Sequence, residues 1–253
     1  MSTFDRWLRI LLCFEESDGP LTVEQVSAMT NIPVSTLYRY VQTLLKEDFL
    51  EAAGRPGAYV LGHRLLSLAR KVPGVWDMAK IAYPEMQALS QDIRETVLLL
   101  RRSGDATICV ERVEADQVVK FSFEKGKRLP LHAGASARIV MAYLPEEDVD
   151  RLIREGYLTR YTENTITSGE EIKRVLRETR ENGYAISTEE MDAHVRAIAV
   201  PILDSKGNFL AGLSVVGPTF RLDAAKTEEV LAKLKVCAHR LSEQFERHLV
   251  NNH

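Results

Sequence analysis

Cysteine is scarce: Cys13, Cys109 and Cys237 lie far apart, with no C-x-x-C pair. An odd count cannot close into a complete set of intrachain disulfides, so they read as reduced thiols of a cytoplasmic protein. Long apolar runs are missing too. No stretch approaches the ~20 apolar residues that a membrane-crossing helix needs. The apolar part of MSTFDRWLRILLCFEES is interrupted by Asp5, Arg6 and Arg9, without a basic leader or a small-residue cleavage site, and reads as a helix rather than a signal peptide. No membrane partner is expected.

Signatures of catalysis are also wanting. There is no G-x-S-x-G, no G-x-x-x-x-G-K-[ST] and no G-x-G-x-x-G, and Glu189-Glu190 reads as a solvated or polar-network pair rather than a catalytic dyad. The chain is expected to be no enzyme and to carry no cofactor. His132, His194 and Cys109 are the one combination arguable as metal ligands, but no two stand at ligand spacing, so no metal site is expected. Charge of one sign is in short supply as well: the net charge of −3 excludes a protein that coats nucleic acid by charge alone, while leaving room for a local basic patch. With 253 residues, 45% hydrophobic and 27% charged, the composition is that of a globular chain with a small domain and a mid-sized one.

What is present begins at TVEQVSAMTNIPVSTLYRYVQTL, Thr22 to Leu44. Before it, Phe4, Leu8, Leu11 and Leu12, widened by Trp7 and Phe14, recur at helical spacing and predict a first helix that ends at SDGP. Thr22 and Gln25 fit a capping box, Asn31 can end a helix in the left-handed conformation, and Pro33 suits the first position of the next. In that third helix Leu37, Tyr40, Val41 and Leu44 face a core, which leaves Ser35, Thr36, Tyr38, Arg39 and Gln42 outside. Two strands, Phe49 to Ala52 and Ala58 to Leu61, flank a Gly-Arg-Pro-Gly turn with Arg55 at its tip.

This is the pattern of a winged helix-turn-helix. Ser35 and Thr36 can donate to phosphate, Tyr38 and Gln42 share their face, Arg39 can fork onto a guanine edge, and Arg55 can follow the backbone or minor groove. A helix pair that merely docks on another protein is the competing reading. Residues 1–75 hold eight basic and eight acidic side chains, but from Pro33 to Lys71 the balance is six against three. Charge thus contributes modestly per copy, and tight binding to double-stranded DNA calls for a dimer on a pseudo-palindromic operator.

Downstream, a helical stretch interrupted by Pro73-Gly74 and Pro84 reads as a connecting helix, a break, and the first helix of a second domain. Strands are expected at Val97 to Arg101, Thr107 to Val113, Gln117 to Ser122, Tyr184 to Ser187, Ala197 to Leu203 and Ala211 to Val216. Helices are expected at Ser136 to Leu144, Glu146 to Glu155, Glu170 to Asn182 and Asp223 to Val250. The class is α+β, an antiparallel sheet flanked by helices. Small residues in the run AGASAR open a helix, either to offer amides to an anion or to let the helix pack closely on the sheet.

The stretches LTVEQVSAMTNIPVSTLYRYVQTLLKEDFLE, YVLGHRLLSLA, LPLHAGASARIVMAYLPEE and NGYAISTEEMDAHVRAIAVPILDSKGNFLAGLSVVGPTFRL, in that order, resemble the isocitrate-lyase-regulator (IclR) family of bacterial transcription factors. The resemblance implies a winged helix-turn-helix over residues 1–62, a linker helix over 63–78, and a GAF-like effector-binding domain over 79–253. It implies homodimers that can pair into tetramers, and a ligand-responsive regulator of catabolic genes. Effector positions carried over from the family are Phe121, Leu129, Ala135, Ser136, Ser187, Val195, Ala197, Ser214 and Val216. Where the family often has a basic residue, a Gly-Lys pair and a glycine, this chain has Val34, Ala137-Arg138 and His194; the last would place an ionisable ring beside the pocket. A polar end near Ala135 and Ser136 with an apolar remainder suits a small organic acid. The alternative is a regulator whose second domain serves only assembly or protein contacts.

Overall fold

Reciprocal capping sets the first turn of the reading unit. The Gln25 amide donates to Thr22 Oγ1 at 3.3 Å, and the Thr22 amide donates to Gln25 Oε1 at 2.8 Å, which starts α2 (Val23–Thr30). Asn31, at φ 56°, ends it in the left-handed region. Pro33 stands one place before α3 (Val34–Lys46), its carbonyl accepting from the Thr36 and Leu37 amides at 2.9 and 3.0 Å. The computed structural model describes residues 3–15, 17, 19–71, 75–121 and 123–251, with 3, 4, 75, 76 and 249–251 described by backbone alone. It divides into two units, residues 1–73 and 74–253.

The first unit adds α1 (Thr3–Glu15), β1 (Leu21–Thr22), β2 (Leu50–Ala52), β3 (Ala58–Leu61) and α4 (Arg64–Ala69). Leu37, Tyr40, Val41 and Leu44 of α3 are buried against Ile10, Phe14, Val26 and Leu50, as the spacing predicts. The hairpin turns at residues 54–57, and β1 adds an unforeseen third strand, in the order β1-β3-β2. The register of α1 needs correction. Ile10, Cys13 and Phe14 are buried, whereas Leu8 and Leu12 stay exposed; the helix carries apolar side chains around most of its girth, so periodicity alone picks the wrong stripe. Phe4's side chain lies outside the described residues.

The second unit runs α5 (Val75–Ile93), β4 (Thr96–Ser103), β5 (Ala106–Val113), β6 (Arg128–Pro130), α6 (Ala135–Met141), α7 (Glu146–Arg154), α8 (Gly169–Asn182), β7 (Ala185–Thr188), β8 (Val195–Leu203), β9 (Phe209–Pro218) and α9 (Ala224–Asn251). The six strands form one antiparallel sheet, ordered β6-β5-β4-β9-β8-β7. Strand alternation splits its core in two: Leu98 and Leu100 face α6, α7 and α8, while Val97 and Leu99 face α5 and α9. The α+β expectation, with its winged reading unit, holds.

Two local expectations fail. Residues 117–121 form no strand, and Ser122 lies outside the described residues. Val118 and Val119 are exposed, so their branched side chains have no sheet face to cover, and β5 takes residues 128–130 as its edge partner instead. Pro84 does not break α5 either. It sits on the exposed side while Ala82, Met86, Leu89 and Ile93 bury the opposite side on the sheet, which offsets the lost hydrogen bond.

The wing's exit depends on Gly62. A Cβ there would overlap the Asp48 carbonyl oxygen and stand 3.0 Å from the Phe49 carbonyl carbon. The same backbone is pinned by the Gly62 amide donating to Phe49 at 2.8 Å and the Arg64 amide donating to Asp48 at 3.1 Å. Gly62→Ala is expected to destabilise the first unit by about 1–3 kcal/mol in chemical denaturation, as overpacking does, and to leave the second unit's transition in place.

Candidate functional site

On α3 the polar face stands clear of the core. Ser35, Tyr38, Arg39 and Gln42 are exposed and Thr36 is half-buried. The Arg39 guanidinium carbon lies 5.6 Å from the Tyr40 ring centroid, a cation–π contact at the base of an otherwise exposed side chain. The Glu24 carboxyl at the foot of α2 is held below its ordinary range by its own backbone amide first, then by Thr22 and Tyr38. At the wing tip Arg55 donates to the Pro20 carbonyl at 3.2 Å.

In the second unit a cavity opens between α6 and the sheet. Phe121, Phe123, Leu129, Ala133, Gly134, Ser136, Ser187, Glu190, Met191, Asp192, Val195, Ala197 and Val216 line it, around ≈ 40 Å³ of free space. That is room for about three waters, at ~10–15 Å³ each. Seven of the ten effector positions expected from the sequence meet there: Phe121, Leu129, Ser136, Ser187, Val195, Ala197 and Val216.

The other three do not. Ala135 is fully buried and its amide donates to Ser187 Oγ at 2.8 Å. Ser214 lies behind Ser136, the two hydroxyls 2.7 Å apart, and donates onward to the Ile198 carbonyl. His194 needs correction: its side chain is 84% exposed, beside Glu189 at 3.4 Å, and does not line the cavity. Its backbone explains this. At φ 62° it occupies the left-handed conformation that favours glycine, and the turn carries the ring outward.

The helix opening is corrected as well. The Gly134 amide donates to Glu190 Oε2 at 3.1 Å, and the Ala135 amide is taken by Ser187, so neither is spare for an anion. The close approach of α6 to the sheet is marked on the strand side, where a Cβ on Gly212 of β9 would stand 2.8 Å from Ile139 Cγ2 of α6. Glu190 is also the partner of buried Arg138, with 2.5 Å between Oε2 and Nη1. Glu189-Glu190 is therefore a polar-network pair, one member buried and the other half-buried. Ala133 and Gly134 belong to the run AGASAR that the sequence singles out, whereas Phe123, Glu190, Met191 and Asp192 were not expected at the cavity. The available signal was Arg138, a charge inside the otherwise apolar run ASARIVMA, which demands a carboxylate.

Phe121 and Phe123 reach the cavity from the irregular loop that replaces the expected strand. Thr96 Oγ1 donates to the Phe121 carbonyl at 3.0 Å, Arg112 to that of Phe123, and Arg221 to that of Val119 at 2.8 Å while forking onto buried Glu95.

Two family models cover this arrangement: the IclR helix-turn-helix domain matches residues 3–54, and the bacterial transcriptional regulator IclR C-terminal domain matches residues 71–243. The chain belongs to the IclR family of bacterial transcriptional regulators. It is 31% identical over 225 residues to the transcriptional regulator KipR of Bacillus subtilis, covering 89% of this chain and 90% of that one. With XynR of Escherichia coli it shares 30% over 243 residues, 96% of each. Among solved structures, an IclR homologue from Microbacterium hydrocarbonoxydans in complex with 4-hydroxybenzoate superposes with a TM-score of 0.85 at 26% identity, covering 97% of this chain and 100% of that one. The family's proteins are DNA-binding regulators, and no helix among the described residues is long and apolar enough to cross a membrane.

Among the described residues no group of three His, Cys, Asp or Glu is placed to hold an ion. Cys109 is buried and its thiol is pushed up to about 12 by burial, so it is no ready ligand. His132 has a structural place in this IclR chain. It is fully buried between Tyr157 and Tyr161, Nε2 lies 2.8 Å from the Thr159 carbonyl, and Nδ1 has no partner among the described residues. Burial lowers its pKa, against the opposing pull of Thr159 and Glu190. A base whose folded pKa is depressed binds its proton more readily when unfolded, so its stabilising effect is complete above the unfolded value of ~6.5 and is lost as pH falls below it. As pH falls below ~6.5 the second unit is expected to lose stability, at up to about 1.4 kcal/mol per pH unit. His132→Gln, with no proton to gain in this range, should flatten that limb of the curve.

Proposed function

We propose that the chain is a cytoplasmic regulator that reads a pseudo-palindromic operator with α3 and responds to a small organic acid bound between α6 and the sheet, in the control of catabolic genes. The convergence of Phe121, Leu129, Ser136, Ser187, Val195, Ala197 and Val216 on one cavity carries the effector half of this reading. The exposed face of α3 supports the other half. Arg39 can fork onto a guanine edge, Ser35, Thr36, Tyr38 and Gln42 can position the helix, and Arg55 can follow the backbone from the wing.

An acid with an apolar body fits the lining better than a sugar, whose many hydroxyls would go unpaired against Phe121, Leu129, Val195, Ala197 and Val216. The relative solved with 4-hydroxybenzoate holds an aromatic acid, and that class is carried here to this chain. Because ligand-filled pockets measure ~300 Å³ or more, the cavity must widen to admit one. Its strands and α6 are fixed by the sheet, which leaves the loop bearing Phe121 and Phe123 and the turn over 189–194 to yield.

The first unit's surface supports self-association. Leu8, Leu12, Leu61, Leu66 and Leu68 are 42–55% exposed on α1, β3 and α4. A second copy is the occupant that would cover them, in a dimer or a pair of dimers. The reading assigns no covalent chemistry.

Arg39→Ala is expected to cost about 1–3 kcal/mol on the specific operator and much less on random DNA, because a bidentate base contact carries sequence information. Footprint titration against both DNAs checks it, and an unchanged ratio between them would remove α3 as the reader. Arg55→Ala should weaken both alike. For the effector, aromatic and aliphatic acids are expected to raise the melting temperature of the wild type more than their amides or sugar acids do. Ser136→Leu, which fills the cavity, should abolish that rise while operator binding persists; a hit indifferent to Ser136→Leu would place the ligand elsewhere.

A further inference from the structure

An acid entering this cavity meets no cation in its lining, and two carboxylates, Glu190 and Asp192, already stand there. The cation is one layer back. Arg138 is 2% exposed, with Nη1 on Glu190 Oε2, Nη2 donating to the Ile186 carbonyl at 2.6 Å, and a buried Nε without a partner among the described residues. Glu190 thus stands between the cavity and the one buried positive charge beside it. The carboxylate oxygen that pairs with Arg138 also accepts from the Gly134 amide, so one protein carboxylate holds the donors that a bound acid would need.

The segment that delivers Glu190 is a strained turn between β7 and β8. Glu189 and His194 both have positive φ, 56° and 62°, a conformation disfavoured for residues with a Cβ. The turn is held from outside the sheet, Thr162 Oγ1 donating to the Glu189 carbonyl at 2.5 Å and Thr165 Oγ1 to that of Glu190 at 2.7 Å.

We propose that Glu190 is a resident carboxylate that the effector displaces. The acid takes Glu190's place on Arg138 and the Gly134 amide, Glu190 swings out toward Asp192 and solvent, and the 189–194 turn moves with it, which widens the cavity on that side. The inference rests on the organic-acid reading above and adds how that acid is admitted. It exchanges one anion for another at a buried charge, so neither Arg138 nor the acid is left unpaired at the end of the step.

The test measures 4-hydroxybenzoate and 4-hydroxybenzamide by calorimetry on the wild type, Glu190→Gln, and the double variant Arg138→Met with Glu190→Leu. Removing the competing charge in Glu190→Gln should tighten the acid by about tenfold or more, the effect of one near charge on an anion, and leave the amide unchanged. In the double variant, where a buried pair gives way to apolar side chains and folding is expected to persist, the acid should lose its advantage over the amide. If Glu190→Gln fails to fold by circular dichroism, the double variant decides alone. An acid that binds Glu190→Gln no tighter than the wild type, or that keeps its preference in the double variant, overturns the displacement while leaving an effector site in place. No saturable binding of either probe to any of the three proteins overturns both the displacement and the aromatic-acid reading beneath it.

Discussion

A single buried charge organises the second unit. Arg138 sits in α6, on the helix that packs against the sheet, and at 2% exposure its guanidinium must find an anion or be left uncompensated, which typically costs about 3–5 kcal/mol. Glu190 meets that demand from the turn between β7 and β8. To reach it, the chain accepts left-handed backbone at Glu189 and His194, and Thr162 and Thr165 hold the turn from behind. The pair therefore sets the cavity's polar wall. It also explains why His194 points away: a turn shaped to bring position 190 inward carries position 194 outward.

Where the sequence was legible, one periodicity governed one element with one buried face. Leu37, Tyr40, Val41 and Leu44 on α3 fall on a single stripe, and the polar residues left over form its outer face. Leu129, Ala197 and Val216 point into the cavity because strands alternate, so their placement follows from register once the sheet exists. Ser187 of β7 and Val195 of β8 follow from the same alternation; before the sheet exists, the family resemblance alone picked out all seven, and Phe121 and Ser136 lie on no strand.

The misses share a cause, since each depended on a contact distant in sequence. Val118 and Val119 have the composition of a strand but no face to bury, a fact that emerges only when β5 has chosen residues 128–130. On α1, Leu8 and Leu12 look as much like core as Ile10 and Phe14, and the hairpin packed nearby decides between them. The helix-opening amides at Gly134 and Ala135 are free in any isolated reading of AGASAR, and occupied as soon as Glu190 and Ser187 arrive from more than fifty residues away. Hydrogen-bond satisfaction is a property of the closed fold.

The same reasoning bounds how the two functions can be coupled. The reading unit has as many acids as bases through residue 75, with its surplus of basic residues confined to 33–71, so general attraction to phosphate gives each copy little. On the operator reading proposed above, affinity comes from base contacts multiplied over two copies, and the affinity of such a pair is acutely sensitive to the placement of its members. On that footing an effector has no need to dismantle anything. A preference of about 1–3 kcal/mol for one arrangement over another, the usual size of an allosteric coupling, changes occupancy 5- to 150-fold. The ligand must supply that preference through contacts that differ between the two states. An exchange at Arg138 is of that kind, because it conserves the charge balance of the buried site while releasing a turn that is held in an unfavourable conformation.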